Sequence, residues 1–127
     1  MPFSVSVIWD KVVAFTELEG KRVEKAVEAF VQKRRPPSHI RPKLDIGFRL
    51  KGQSIEIFEI RPLWSDPTKI LEESVAKATY VKTLALWKVY WKRADGKWHS
   101  YPPVPKVGTV DKFLELVDAD AHGFFWG

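Results

Sequence analysis

The 127-residue chain contains no cysteine. That excludes disulfides, iron–sulfur clusters, thiolate zinc sites and thiol nucleophiles, and it is the composition expected in a reducing compartment. No stretch approaches the roughly 18 consecutive apolar residues of a membrane span. The first residues lack the basic start and apolar core of a secretory signal. A cytoplasmic protein with no membrane partner is therefore expected. The three histidines, His39, His99 and His122, are far apart and show no spacing of the HExxH kind, so they suggest no metal centre. Neither a glycine-rich phosphate loop nor a GxSxG elbow occurs. Internal repeats and low-complexity segments are also missing.

What remains is enough apolar material for one core. Hydrophobic residues make up 45% of the chain and charged residues 29%, which predicts a folded single domain over residues 1–127. The formal net charge is +5 and it is unevenly spread. Eight Lys/Arg stand against two Glu between Lys21 and Lys43, and seven against three acids between Pro67 and Ser100. Clustered basic charge attracts polyanions, nucleic acid among them.

The central stretch is Leu44 to Pro62. Two alternating runs, LDIGFRL and SIEIFEIRP, are joined by Lys51-Gly52-Gln53. Alternation with a short glycine-containing link predicts a β-hairpin over about 44–61. Leu44, Ile46, Phe48 and Leu50 share one face, and Ile55 and Ile57 share one face of the second strand. Before the hairpin, Thr16 and Glu19 have the spacing of a capping box. Val23, Ala26, Val27, Phe30 and Val31 follow as an apolar helical stripe, and Pro36-Pro37 ends it, predicting a helix over about 17–34. Upstream, Phe3, Val5, Val7 and Trp9 alternate as a short strand would. After the hairpin, Asp66-Pro67 is a helix-start signal. Leu71, Val75 and Ala78 continue it helically, predicting a second helix over about 67–82.

The run LALWKVYWKRADGKWHSY predicts a second hairpin over about 84–101, with Asp95-Gly96 as a two-residue turn. That register pairs Ala94 with Lys97, Lys92 with His99 and Tyr90 with Tyr101. One face then carries Trp87, Val89, Trp91 and Trp98 for the core. The other carries Lys88, Tyr90, Lys92, Lys97, His99 and Tyr101. Gly108-Thr109 caps a last helix over about 110–119, with Val110, Phe113, Leu114 and Val117 as its buried stripe, and Phe124-Phe125-Trp126 should dock on the core. The expected class is α+β: a mainly antiparallel sheet of two hairpins with helices on it.

Several of these words resemble a known family. RPKLDIGFRL, QSIEIFEIRP, KATYVKT, WKVYWKRADGKWHSY and the closing GFFWG are similar to the bacterial domain of unknown function number 3024, over about Gln32 to Gly127. This chain departs from the family pattern at Gly96, where a large aliphatic residue is usual, and in lacking a cysteine before the final aromatics. The resemblance implies no activity, so it assigns no functional residue.

Two constellations bear on chemistry. Asp45, then Glu59-Ile60-Arg61 on the next strand, follow the order used by nucleases of the PD-(D/E)xK type, where two carboxylates hold Mg²⁺. Lys77 could supply a displaced lysine. Arg61 stands where lysine is usual and does not shuttle protons. A two-residue Lys51-Gly52 turn would also put Asp45 opposite Phe58, on the face away from Glu59, whereas a three-residue turn would bring the two acids to one face. The ordinary alternative is that Glu59 and Arg61 form structural ion pairs. The second constellation is the basic, aromatic face of the second hairpin, where Tyr90, His99 and Tyr101 could stack on bases while Lys88, Lys92 and Lys97 meet phosphates. Arg34 and Arg35, with Lys33 and Arg41, offer a second basic edge. The ordinary alternative there is a solvated sheet surface. The favoured expectation is a non-enzymatic nucleic-acid-binding module needing no cofactor. The alternatives are a protein-interaction or structural module, or a divergent Mg²⁺-dependent nuclease using Asp45 and Glu59.

Overall fold

The computed structural model describes residues 16–126; the alternating segment Phe3–Trp9 lies outside them. Helix α1 spans Glu17–Arg34, and its start is the capping box read from sequence. The Glu19 N–H donates to Thr16 Oγ1 at 3.0 Å and the Thr16 N–H donates to Glu19 Oε1 at 2.9 Å. Val23, Val27 and Val31 are its buried stripe. Six strands follow: β1 (Asp45–Lys51), β2 (Ser54–Leu63), β3 (Asp66–Val81), β4 (Leu86–Lys92), β5 (Trp98–Ser100) and β6 (Lys106–Val107). A 3-10 turn, Lys82–Leu84, joins β3 to β4, and helix α2, Val110–Ala119, follows the strands.

The sheet is an antiparallel meander in the order β1-β2-β3-β4-β5, with β6 also pairing β4. Ile46, Leu50, Ile55, Ile57, Ala76, Ala78, Trp87, Val89 and Tyr101 form one face. They are buried together with the apolar stripes of α1 and α2 and with Phe125. Both described helices thus cover the same face, and the molecule is α+β. Thr109 caps α2 by accepting from the Lys112 N–H, and Phe113, Leu114 and Val117 point inward, as their spacing predicts. Asp120 ends α2 in the left-handed region. Its carboxylate accepts from the Phe125 and Trp126 N–H groups at 3.1 and 3.0 Å, which docks the terminal aromatics on the core. None of the described helices is long and apolar enough to cross a membrane.

Two sequence expectations are corrected. The helix over 67–82 is strand β3. From Ala76 onward the chain alternates strictly: Ala76, Ala78 and Tyr80 face the helices and Lys77 and Thr79 face away, a period of two that the shorter 71/75/78 coincidence masked. The Asp66 signal is genuine but is used differently. Its Oδ1 accepts from the Thr68 N–H and hydroxyl, holding an Asx-type turn in extended chain where a cap was expected.

The second hairpin is one residue out of the expected register. Its loop has three residues, Ala94–Gly96, closed by Arg93 N–H donating to the Lys97 carbonyl at 3.1 Å and Gly96 N–H to the Arg93 carbonyl at 2.8 Å. Gly96 has φ +78°, the left-handed residue of the bulged three-residue hairpin. Lys92 therefore pairs with Trp98, Trp91 with His99 and Tyr90 with Ser100. A one-residue slip exchanges faces. Tyr101 goes to the core, 1% exposed, and Trp98 goes to the outside.

Beyond its contact with β1 and β4, the β2–β3 pair continues as a two-stranded ribbon among the described residues. Pairing to β1 stops at Ile60 and pairing to β4 at Ala76. Trp64 in the turn is 92% exposed, Ile70 71% and Leu71 40%.

Candidate nucleic-acid interface

The face of the sheet turned away from the helices is built in cross-strand rows. Partners in an antiparallel ladder share a face, so the register places Arg49, Glu56, Lys77, Tyr90 and Ser100 in one row. Lys51, Ser54, Thr79 and Lys88 form the row on one side. Gly47 with Phe58, and Lys92 with Trp98, lie on the other side.

Phe58 is a buried floor for this face. Its ring lies across Gly47, and the Arg49 guanidinium covers it at 4.3 Å from the centroid. Arg49 is held by Glu56 and Glu72, and Glu56 also accepts from the Ser74 hydroxyl at 2.6 Å. The contact of Arg49 Nε with Glu56 Oε1, 3.1 Å, is an ion pair; Nε is buried and makes no aligned hydrogen bond. The acids of this half of the face are thus occupied by arginine.

The other half is different. Lys77 Nζ sits 5.4 Å from the centroids of both Tyr90 and Trp98, and Lys92 Nζ sits 5.4 Å from Trp98. Lys51, Lys77, Lys88 and Lys92 make no ion pair among the described residues. A cleft of about 490 Å³ opens beside them, lined by Lys51, Gly52, Ser54, Glu56, Lys77 and Trp98.

The residues singled out from sequence divide accordingly. Lys88, Tyr90 and Lys92 do share this face. His99 pairs with Trp91, on the opposite side, and its ring N–H donates to the Asp95 carboxylate at 2.9 Å. Tyr101 is in the core, where burial, and secondarily the Asp120 charge, pushes its phenol up. Lys97 is exposed at the end of the hairpin turn. Arg34 and Arg35 belong to the helix side and are engaged. Arg34 bonds Asp118 at 2.7 Å and covers the Trp126 ring, and Arg35 grips Asp45 bidentately at 2.8 and 2.7 Å. Sequence reasoning missed Trp98, Glu56, Lys51 and Lys77 as members of this face. The signal that finds the first is Gly96, once read as the left-handed residue of a three-residue loop.

The acidic constellation is not assembled. Asp45 pairs with Ile60 and Glu59 with Ile46, so the two carboxylates point to opposite sides of the sheet. Each has an arginine: Asp45 has Arg35, and Glu59 has Arg61. The Arg35 hydrogen bond, helped by the Ile46 N–H, holds the Asp45 carboxyl below the usual range. Lys77, on β3, pairs with Glu56 and not with Glu59, whose partner is Glu73, and its ammonium lies near Tyr90 and Trp98. Among the described residues no group of three or more His, Asp or Glu is poised to hold a metal ion.

Fold and face together define a small α+β protein whose sheet turns a basic and aromatic surface away from the described helices. The chain belongs to the family described as a domain of unknown function, DUF3024, whose model matches residues 15–127. No curated protein and no solved structure matches it.

Proposed function

We propose that the sheet face turned away from the described helices binds single-stranded nucleic acid without catalysing a reaction on it. One observation carries this reading. Two half-buried aromatic rings, Tyr90 and Trp98, each have their centroid 5.4 Å from the Lys77 ammonium on the sheet face turned away from the described helices, and Lys51, Lys88 and Lys92 share that face. Single strands offer unpaired bases to rings and phosphates to lysines, and a β-sheet displays both at fixed spacing. The site is a correction of the one read from sequence: Trp98 replaces Tyr101 as the second ring, and Lys77 and Lys51 join Lys88 and Lys92.

A salt titration with a fluorescent single-stranded octamer tests it. Four lysine–phosphate contacts predict a slope of log K against log salt near −3, at roughly 0.7 per contact. Lys88→Gln should reduce the slope by about 0.7. Tyr90→Ala should weaken binding by about 1–3 kcal/mol and leave the slope in place, because stacking releases no counterions. A wild type that binds neither DNA nor RNA strands at about 50 mM salt, where such contacts are strong, removes the reading. The protein-interaction alternative would then lead. It is favoured by the bare ribbon, where Trp64, Ile70 and Leu71 stand in solvent.

A further inference from the structure

The cleft beside Trp98 carries an acceptor that phosphate binding does not use. Glu56 projects from β2 into the row beside Lys77, and it lines the cleft with Lys51, Ser54, Lys77 and Trp98. Its carboxylate is held by Arg49 on Oε1 and the Ser74 hydroxyl on Oε2. The Glu56 side chain keeps 24% of its surface exposed. Each carboxylate oxygen has two lone-pair directions, so one on each remains for a ligand. The Ser54 hydroxyl shares a hydrogen bond with Thr79 at 2.8 Å. A carboxylate on a surface meant only for polyanions is costly, since it repels them. It becomes useful when the ligand presents N–H donors to it.

We infer that this cleft takes a guanine base, stacked on Trp98, with its N1–H and N2–H₂ donated to the Glu56 carboxylate. The inference rests on the single-strand reading above. Two adjacent N–H donors match a carboxylate bidentately, and guanine alone among the common bases has them on its Watson–Crick edge. Its neighbouring O6 is an acceptor, which a lysine ammonium from Lys51 or Lys77 satisfies. Uracil and thymine flank their one N–H with two carbonyl oxygens, and those face the carboxylate unfavourably. Adenine and cytosine set an exocyclic amine beside a ring acceptor. A volume of about 490 Å³ falls within the range of small-molecule sites, large enough for a purine with its ribose.

The test uses the whole chain and four labelled RNA octamers in fluorescence anisotropy: all-uridine, and the same strand with a central pair of guanines, adenines or inosines. The guanine strand should bind about tenfold tighter than the uridine and adenine strands, one charge-assisted hydrogen bond corresponding to at least that factor. Inosine keeps N1–H but lacks the 2-amino group, so it should lose most of the gain. Glu56→Gln should flatten the preference, with the all-uridine strand binding more tightly as a negative charge leaves the face. Equal binding of all four strands, or a guanine preference retained in Glu56→Gln, overturns the base assignment and leaves the single-strand reading standing. Absence of binding to every strand overturns both. The inosine comparison changes only the ligand, so it decides the matter even if Glu56→Gln disturbs the Arg49 contacts.

Discussion

At the scale of single residues, the candidate face depends on Gly47. A Cβ built there would come within 2.8 Å of Phe58 Cε1, with Phe58 Cζ at 3.1 Å and Ile60 Cδ1 at 3.2 Å. The missing side chain lets the Phe58 ring lie close against β1, and the ring in turn seats Arg49, which pairs with Glu56. Gly47→Ala should therefore cost about 1–3 kcal/mol, the usual penalty of overpacking, as the ring is driven off its seat. Gly108, where an added methyl group would meet nothing within 4 Å, is the control, and Gly108→Ala should stay within about 0.5 kcal/mol. Urea denaturation of the two variants checks this, and equal midpoints would refute the account of the floor. Alternation in the sequence does place Asp45, Gly47, Arg49 and Lys51 on one side of β1. It cannot show that a ring from the next strand fills the space above the glycine, because that depends on a rotamer and a register together.

At the scale of elements, local chemistry was legible and competition between elements was not. Both described helices were readable because each has its own cap and its own 3.6-residue stripe. Strand β3 was misread because Asp66-Pro67 begins a helix in isolation, while here β2 pairs with β3 from Asp66 to Thr79 and β4 pairs with its last part, Ala76–Val81, and these hydrogen-bond partners favour extended chain. The join between α1 and β1 gives a test at this scale. Arg35 closes the helix, and its fork holds Asp45, the first residue of β1. The bond lowers the Asp45 carboxyl in the folded state. A carboxylate depressed on folding contributes stability above its unfolded pKa, about 3.9, and loses it as pH falls through the lower folded value. At pH 7 Asp45→Asn should be destabilised by about 1–2 kcal/mol, the scale of a part-buried charge-assisted pair. The gap to wild type should close as the pH falls from about 5 towards 2. A gap of constant size across that range would mean that the pair does not couple the two elements.

At the scale of the whole molecule, the sheet divides the protein into parts with different duties. Among the described residues one face is covered by helices and the other is not, and the β2–β3 ribbon reaches past both. The class and single-sheet architecture were readable from sequence, because each depends on element type and order. The makeup of the open face was not, since one residue of hairpin register exchanged Tyr101 for Trp98. The ribbon offers a last prediction, because its two strands are continuous with core strands and differ from them only in what surrounds them. Ile55, Ile57, Ala76 and Ala78 are fully buried, whereas Arg61, Ile70 and Leu71 are exposed on the same strands. The irregular pairings at Ile57/Phe58 and Pro62/Leu63 interrupt the ladder between and within the two regions. A two-stranded ribbon with neither face covered is marginally stable in water, so it should open without unfolding the core. In native-state hydrogen exchange on dilute protein, the paired amides of Ile70 to Glu72 should exchange faster than those of Ala76 to Ala78, on the order of a thousandfold or more. Equal protection along β3 would contradict a free-standing ribbon. Protection of the ribbon that grew with protein concentration would show instead that Trp64, Ile70 and Leu71 are covered by a second copy of the chain.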